Sequence, residues 1–305
     1  MTSLARRTWP VILLAVAFVA ALVPVITSTP TEADAATDVT RSERRGSSTR
    51  FGASVPSDGI DWRTAVRRSD ERYGGMDIVR VYEPFVRDTF NRLLDGFRRP
   101  VVLSFRETPG RVLSGAIDGE LRTFFRHAPR NRPTFWSYFH EPEDDHERGL
   151  ISAAQYRAAW RHINAIARRV DNPQLHPTLI LMCWTARSPN RSVRTYYPGD
   201  FIDVMGWDCY SPRGASQYMA PRKLMGPAYR ATRRLGNRFG VAELASRRLP
   251  GDDGTRRARW LHACARYTDR RNAAFVTYWD SQVPNIDYRL LDPPSRKAWR
   301  AIIDR

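Results

Sequence analysis

Cysteine is scarce in this chain. Only Cys183, Cys209 and Cys264 occur among its 305 residues. Three cysteines form at most one disulfide, and their spacing matches no zinc-binding pattern. We therefore expect small, buried apolar cysteines with room for one pair, which excludes a disulfide-stapled scaffold and a zinc-held fold.

Histidine is also scarce, and the glycine-rich signatures of cofactor binding are missing. The histidines lie at positions 127, 140, 146, 162, 176 and 262, and this spacing does not gather ligands on one face. No phosphate loop, dinucleotide fingerprint or nucleophile elbow occurs. We therefore expect no metal and no cofactor, and we exclude the nucleotide-dependent and serine-hydrolase classes that need those motifs.

Only one long hydrophobic run is present, and it lies near the start of the sequence. Two arginines precede an apolar run over residues 9–26, and an Ala-Asp-Ala site follows at residues 33–35. This order is typical of a secretory signal peptide, so we predict that residues 1–35 are a cleaved signal and that the protein is secreted. The alternative is an uncleaved membrane anchor, because the run approaches the roughly 20 residues that span a bilayer.

The charge is strongly one-sided, with a net charge of +17. Residues 36–49 are polar and basic without apolar periodicity, which predicts a flexible leader. Elsewhere the arginines are spread over every predicted helix and are not gathered in one aromatic-lined patch, so no nucleic-acid partner is expected. Two explanations of the charge stay open: attraction to an anionic cell envelope or polysaccharide, and arginine used wherever a solvated cation is tolerated.

The sequence does contain a repeated alternation between short apolar runs and longer amphipathic runs. Nearly continuous apolar strands are typical of a parallel sheet buried on both faces, and eight strand–helix pairs in about 250 residues are typical of a (β/α)8 barrel. We predict one such domain over residues 50–305, undivided by any linker. The predicted strands are 50–55, 76–83, 100–105, 133–140, 176–185, 201–210, 238–244 and 273–280, and the predicted helices are 61–73, 87–98, 115–128, 152–170, 219–235, 255–269 and 294–304.

Carboxylates, arginines and aromatic side chains follow the apolar strands of this predicted barrel. In such barrels the functional side chains lie at the C-terminal rim, where the strands end. Carboxylates combined with flat aromatic rings are suited to binding and cleaving a sugar. The candidate site residues are Arg80, Arg106, His140, Glu141, Trp184, Asp208, Tyr210, Glu243 and Trp279.

Two of these carboxylates, Glu141 and Glu243, end the fourth and seventh strands and therefore face each other across the rim. Hydrolysis of a glycosidic bond needs one carboxyl group to protonate the leaving oxygen and a second to attack the anomeric carbon or activate water. Carboxyl groups roughly 5–5.5 Å apart predict retention of configuration, and roughly 6.5–9.5 Å predict inversion. Tyr210 could hydrogen-bond to the nucleophile, and Trp184 and Trp279 could stack on a pyranose ring.

Other acidic residues have simpler interpretations. An isolated carboxylate at a strand end, such as Glu83 or Glu107, is more often an ion-pair partner than a catalyst. Glu143, Asp144 and Asp145 are expected in a solvated loop that also caps the next helix.

The motifs "FGASV", "HEPE", "DVMGWDCY", "VAEL" and "VTYWD" resemble, in this order, those of the retaining glycoside hydrolases of clan A, and most closely those of glycoside hydrolase family 26. Family 26 has His before its acid/base Glu, as in His140-Glu141. The resemblance implies a (β/α)8 β-glycanase, mannanase-like, with Glu141 as acid/base, Glu243 as nucleophile and a polysaccharide or oligosaccharide partner. It also implies four residues around the sugar: His140, Asp208, Tyr210 and Trp279.

Substrate-binding positions depart from the mannanase pattern. Ser137 and His146 stand where those enzymes usually have Arg and Trp, so the sugar stays open. Arg80 and Arg106 would favour an acidic sugar or a charged substituent. The alternative function is a barrel that binds envelope polysaccharide without cleaving it, which has no need for the second carboxylate across the cleft.

Overall fold

The computed structural model describes residues 49–55, 60–86, 97–212 and 214–305. The predicted signal peptide (1–35), nearly all of the predicted leader (36–49) and most of the predicted helix at 87–98 lie outside these residues. The division of the chain into signal, leader and domain therefore stays a prediction.

Parallel strands close into a barrel. The strands are β1 (Arg50–Ser54), β2 (Ile78–Glu83), β3 (Val101–Phe105), β4 (Thr134–Tyr138), β5 (Leu175–Met182), β6 (Val204–Tyr210), β7 (Arg238–Phe239), β8 (Val241–Ala245) and β9 (Phe275–Tyr278). Because β7 and β8 are two parts of one barrel strand, the described residues supply eight strand positions, ordered around the barrel as in the chain. The pairing of β9 with β1 closes the ring. The predicted (β/α)8 fold is confirmed.

Helices lie between the strands and are amphipathic. They are α1 (Trp62–Tyr73), α2 (Pro109–Leu113), α3 (Asp118–His127), α4 (Glu143–Glu147), α5 (Ala153–Arg168), α6 (Val193–Tyr196), α7 (Pro221–Arg234), α8 (Thr255–Asp269) and α9 (Pro293–Ile303). In α5 the side chains of Tyr156, Trp160 and Ile163 are buried, as their helical spacing predicts. Trp160 stacks on Trp136 of β4, with ring centroids 5.2 Å apart, which fixes α5 against the outside of the barrel.

The seventh barrel strand is interrupted at Gly240, which the sequence pattern did not predict. A Cβ at this position would lie 2.7 Å from the ring of Phe275, so only glycine allows the ring to approach. The Gly240 N–H still donates to the Met205 carbonyl at 3.0 Å, and the pairing of β8 with β9 is irregular beyond this point. The irregularity determines where Glu243 lies along the rim.

The interior of the barrel has two layers, which we call the apolar layer and the polar layer. The apolar layer is a separate cluster of buried residues: Ile78, Val102, Phe135, Ile180, Val204, Ala242, Ala274 and Phe275. Alternate residues of a strand point to the same face, so the interior series continues upward from Ile78 to Arg80 and Tyr82, and from Val204 to Asp208. The polar layer, at the C-terminal ends of the strands, therefore contains Arg80, Tyr82, Asp208 and Tyr210. Glu243 joins it although it directly follows Ala242 of the apolar layer, because the register of β8 shifts between Val241 and Leu244.

A short antiparallel hairpin, β10 (Gln282–Val283) and β11 (Ile286–Asp287), follows β9.

Within the described ranges, no helix has the length and apolar character needed to cross a membrane.

Candidate active site

A cavity of about 950 Å³ opens above the polar layer. Residues at the ends of seven of the eight barrel strands, or in the loops that follow them, line it, so the rim location predicted from the sequence is the location of this cavity. Seven of the predicted site residues lie on its wall: His140, Glu141, Trp184, Asp208, Tyr210, Glu243 and Trp279.

Glu243, on β8, is held by three hydrogen-bond donors. The Tyr82 hydroxyl donates to Oε1 at 2.9 Å, and a guanidinium nitrogen of Arg80 lies 3.4 Å from the same oxygen. The Tyr210 hydroxyl donates to Oε2 in a short hydrogen bond. The Arg80 charge compensates for burying a carboxylate, and the two phenols fix the carboxylate plane relative to the cavity.

Glu141 lies in a tightly shaped segment beyond the end of β4. Its φ of 49° is in the left-handed region, which a residue with a Cβ occupies rarely, and Phe139 has a φ of 47°. The Phe139 N–H donates to the Phe105 carbonyl at 2.8 Å, and the Glu141 N–H donates to the Ile180 carbonyl at 3.1 Å. Bonds to the strands on both sides thus hold an unfavourable backbone conformation, a feature that is frequent at functional sites.

The carboxyl of Glu141 has an unusual electrostatic environment. Burial raises its pKa well above the ordinary value, and the charges of Glu243 and Glu143 raise this pKa further. The group therefore retains its proton to a higher pH than an exposed glutamate does. This is the property that a general acid requires.

Asp208 brings a third carboxyl to the same place. It is the register partner of Glu243 on the neighbouring strand, and it is buried. Burial, then the charges of Glu243 and Glu141, raise the pKa of Asp208 well above its ordinary value. Neither of its carboxyl oxygens has a hydrogen-bond partner in the described part of the chain, and both are buried in the wall of the cavity.

His140 lines the cavity next to Glu141. Burial, followed by the charges of Arg80 and Arg106, lowers the pKa of His140 well below its ordinary value, so the imidazole is neutral at neutral pH. Its ring lies 5.7 Å from the ring of Tyr82, and among the described residues Nδ1 has no hydrogen-bond partner.

Aromatic rings form two walls of the cavity. Trp279, Tyr210 and Tyr288 pack edge to face, with centroid distances of 5.3–5.7 Å, which holds the Trp279 ring in position beside Glu243. Trp184 lies beyond the end of β5 and is 52% exposed, so its ring is available to a ligand. Trp62, at the start of α1, also lines the cavity.

Two predicted substrate-binding residues, Arg80 and Arg106, do not line the cavity. Arg80 is fully buried beneath Glu243, so it orients a carboxylate and does not contact a sugar. Arg106 comes one residue after β3, turns away, forms an ion pair with Asp145 and lies over the Phe139 ring at 4.1 Å. The predicted preference for an acidic sugar therefore cannot rest on these two arginines.

The prediction of a solvated acidic loop after Glu141 holds for Asp144, which is exposed, and is wrong for Glu143 and Asp145. Residues 143–147 form α4, and Glu143 and Asp145 are buried. Glu143 Oε1 accepts from the Met182 N–H at 2.8 Å and from the Thr185 hydroxyl at 2.6 Å, while burial raises the pKa of Glu143 to about 7. The first carboxylate of the run thus ties the Glu141 segment to the end of β5.

Sequence reasoning missed two elements of the site, Tyr82 and Glu143, and left open which cysteines pair; Cys183 and Cys209 form a disulfide. Tyr82 could have been found because it follows Arg80 at the strand spacing of two. The disulfide follows from the strand register, since Met182 is paired with Asp208 and the next residue of each strand is a cysteine. Cys264 is buried and free.

Within the described residues, no group of three or more His, Cys, Asp or Glu is arranged to hold a metal ion.

The two positions that depart from the mannanase pattern lie away from the cavity wall. Ser137 is fully buried in β4, and His146 faces Tyr196, whose hydroxyl is 3.1 Å from its Nδ1.

No family model matches the sequence, and no curated protein matches it. Solved structures do share the fold. An endo-β-1,3-glucanase of glycoside hydrolase family 128 from Amycolatopsis mediterranei, in complex with laminaripentaose, is 14% identical with a TM-score of 0.56, covering 83% of this chain and 99% of its own.

Two family 26 structures are similar to the same extent. The catalytic domain of an endo-β-1,4-mannanase from Bacillus sp. JAMB-750 is 12% identical with a TM-score of 0.57, over 88% of each chain. A β-mannanase from Bacteroides ovatus is 14% identical with a TM-score of 0.51, covering 87% of this chain and 90% of its own. The barrel is thus of the type found in glycoside hydrolases of families 26 and 128, and the predicted resemblance is confirmed at the level of the fold.

Proposed function

We propose that this protein is a retaining glycoside hydrolase that cleaves β-linked polysaccharide by double displacement. The observation that carries the proposal is that two carboxyl groups in different electrostatic environments line the same cavity. Glu141 is half-buried and has a raised pKa, and Glu243 is held by Arg80, Tyr82 and Tyr210. One acid that keeps its proton and one oriented carboxylate are the two groups that glycoside hydrolysis requires.

In the first step Glu243 attacks the anomeric carbon while Glu141 donates its proton to the glycosidic oxygen, so the leaving sugar departs as an alcohol. In the second step Glu141, now ionised, takes a proton from water, and the water oxygen displaces Glu243 from the anomeric carbon. Asp208 and His140 are placed to bind hydroxyls of the ring between the two carboxyls, and Trp279 to stack on its apolar face.

The proposal specifies a β-linked polysaccharide and does not choose between individual sugars or linkages. The similar structures include enzymes acting on β-1,4-mannan and on β-1,3-glucan. The residues where mannanases differ from this chain, Ser137 and His146, are off the cavity wall, so they give no argument for either linkage. We propose a β-linked substrate and include both linkages in the test.

Release of reducing ends from β-1,4-mannan, β-1,3-glucan and related β-glycans tests the catalytic proposal. We expect turnover of at least one neutral or acidic β-glycan by the wild type, and its loss in Glu243→Ala with retained oligosaccharide binding. Glu71→Ala, on the exposed face of α1, is the matched control and should behave as wild type.

Product stereochemistry separates the mechanisms. Proton NMR of the first product should show the β-anomer; an α-anomer would establish inversion and contradict the double displacement. The non-catalytic binding barrel is the correct function if the wild type binds oligosaccharide but releases no reducing ends from any member of the panel.

We also propose that the protein is exported, on the basis of the order of charged, apolar and small residues over positions 1–35. Mass spectrometry of the protein produced in a secreting host should give a mature N-terminus close to residue 36. An intact N-terminus recovered only in the membrane fraction would support the anchor instead.

A further inference from the structure

Arginines near the cavity differ in whether protein carboxylates neutralise them. Arg80 pairs with Glu243, Arg106 pairs with Asp145, and Arg191 lies 2.8 Å from Asp144 and 2.6 Å from Glu147. Arg187 also lines the cavity, but within the described residues it forms no ion pair with a carboxylate. Its positive charge therefore acts on whatever occupies that end of the cavity.

The hydrogen-bonding groups of Arg187 are poorly satisfied by the protein. One terminal nitrogen contacts the Met219 sulfur at 3.1 Å, and a thioether is a weak acceptor. In the part of the chain that the structure describes, Nε is buried without an acceptor. A half-buried guanidinium in this condition is stabilised by an incoming anion, since a planar carboxylate can accept two of its hydrogen bonds at once.

The local backbone holds the Arg187 guanidinium over the exposed ring of Trp184. The N–H groups of Arg187 and Ser188 both donate to the Trp184 carbonyl at 2.9 Å, so residues 184–188 form a closed turn. The guanidinium carbon lies 5.2 Å from the Trp184 ring centroid. Thr185, inside the turn, donates to Glu143, which ties the turn to the Glu141 segment. The ring and the cation are thus presented together and in a fixed relation to the acid.

We propose that Trp184 and Arg187 form a subsite for an acidic sugar, with the ring stacked on Trp184 and its carboxylate bound by Arg187. The substrate class is therefore a β-linked polysaccharide that carries uronate residues. This inference rests on the proposed function, since it assigns one end of the same cavity. Asp144 also lines the cavity, and its repulsion of the carboxylate is reduced by Arg191, which it shares with Glu147.

Binding of matched oligosaccharide pairs tests the subsite. The probes are cellohexaose and laminarihexaose, each compared with its counterpart oxidised to the carboxylate at C6. Isothermal titration uses the Glu141→Gln background, which prevents turnover. We expect the oxidised member of at least one pair to bind about tenfold tighter, as one charge-assisted bidentate contact provides, and the advantage to shrink at high ionic strength.

Variants at Arg187 show whether this residue causes the preference. Arg187→Gln should abolish the advantage of the oxidised probe and change the affinity for the neutral probe by much less, while Arg187→Lys should retain part of the advantage. Arg126→Gln, an exposed arginine of α3 outside the cavity, is the matched control and should retain all of it. The proposal is overturned if neutral probes bind as well as oxidised ones, if no oxidised probe binds, or if the advantage survives in Arg187→Gln.

The two proposals fail separately. Hydrolysis of neutral glycans by the wild type without any carboxylate preference in binding would leave the glycosidase standing and remove the acidic subsite. A carboxylate preference that depends on Arg187, with no reducing ends released from any glycan, would leave the subsite standing and remove the hydrolase.

Discussion

The two layers inside the barrel are made by the same strands, yet they are built on opposite principles. The apolar layer packs Phe135 against Phe275, with centroids 4.8 Å apart, and contains only hydrocarbon side chains. The polar layer, one to four residues further along the strands, buries Arg80, Asp208 and Glu243. The apolar layer stabilises and stiffens the barrel through close packing. Burying charges in the polar layer lowers the stability of the fold.

This division explains how the side chains around Glu243 are held in fixed positions. Buried charges tolerate little movement, because each must keep its partner or bear the full penalty of desolvation. Strands fixed by a close-packed layer below provide a frame in which Tyr82, Tyr210 and Arg80 remain directed at Glu243. The comparison predicts that mutations in the two layers differ in kind as well as in size.

The largest effect is expected from Arg80→Met in the polar layer. Removing the cation leaves Glu243 and Asp208 without compensation and should lower the free energy of unfolding by about 3–5 kcal/mol while abolishing turnover. Denaturant unfolding and reducing-end assays measure both. An active Arg80→Met protein would show that Tyr82 and Tyr210 suffice to hold Glu243.

The next largest effect is expected from Phe135→Ala in the apolar layer. A cavity in a close-packed interior should lower the free energy of unfolding by about 3 kcal/mol or more. Because no ionisable group is removed, the pH profile of activity at a temperature well below unfolding should keep its shape. A shifted profile would mean that the two layers are coupled more directly than their separate packing indicates.

A smaller effect concerns the dependence of stability on pH. The pKa of Asp208 is raised in the folded state, so the folded protein binds this proton more tightly than the unfolded chain does. Stability from this group is present in full below the unfolded pKa of about 4 and declines as pH rises toward the folded pKa. Asp208→Asn should flatten the decline, measured as unfolding free energy between pH 4 and neutrality. An unchanged slope would show that Asp208 titrates as an exposed aspartate.

The smallest effect is expected from Glu143→Gln. The amide oxygen can still accept from Met182 and Thr185, so the fold should be retained, but one negative charge near Glu141 is lost. Since the Glu143 charge raises the pKa of Glu141, its removal should lower that pKa and shift the alkaline limb of the activity profile to lower pH by less than about one unit. A reduced rate with an unshifted limb would indicate a structural role alone.

Much of the fold could be predicted because the strands and helices carry their own periodicities. Strands buried on both faces are nearly continuous in apolar residues, and α5 shows its buried face at helical spacing. The interruption at Gly240 could not be predicted, since it depends on the approach of Phe275, which is distant in the sequence.

Whether a side chain reaches the cavity could be predicted only where its position on a strand determines the direction in which it points. Glu141, Asp208, Glu243 and Trp279 reach the cavity as expected. Arg80 is directed inward but is fully buried beneath Glu243, out of reach of a ligand, and Arg106 follows the end of β3, where alternation no longer fixes direction. The burial of Glu143 depends on donors from β5 and the following turn, which local sequence does not reveal.

The disulfide between Cys183 and Cys209 makes the rim of the barrel sensitive to redox conditions. Cys209 stands between Asp208 and Tyr210, and Cys183 immediately precedes Trp184, so one covalent link fastens the base of both cavity walls. In a reducing compartment this link would be absent, and we expect the same barrel with the ends of β5 and β6 less firmly joined at the rim.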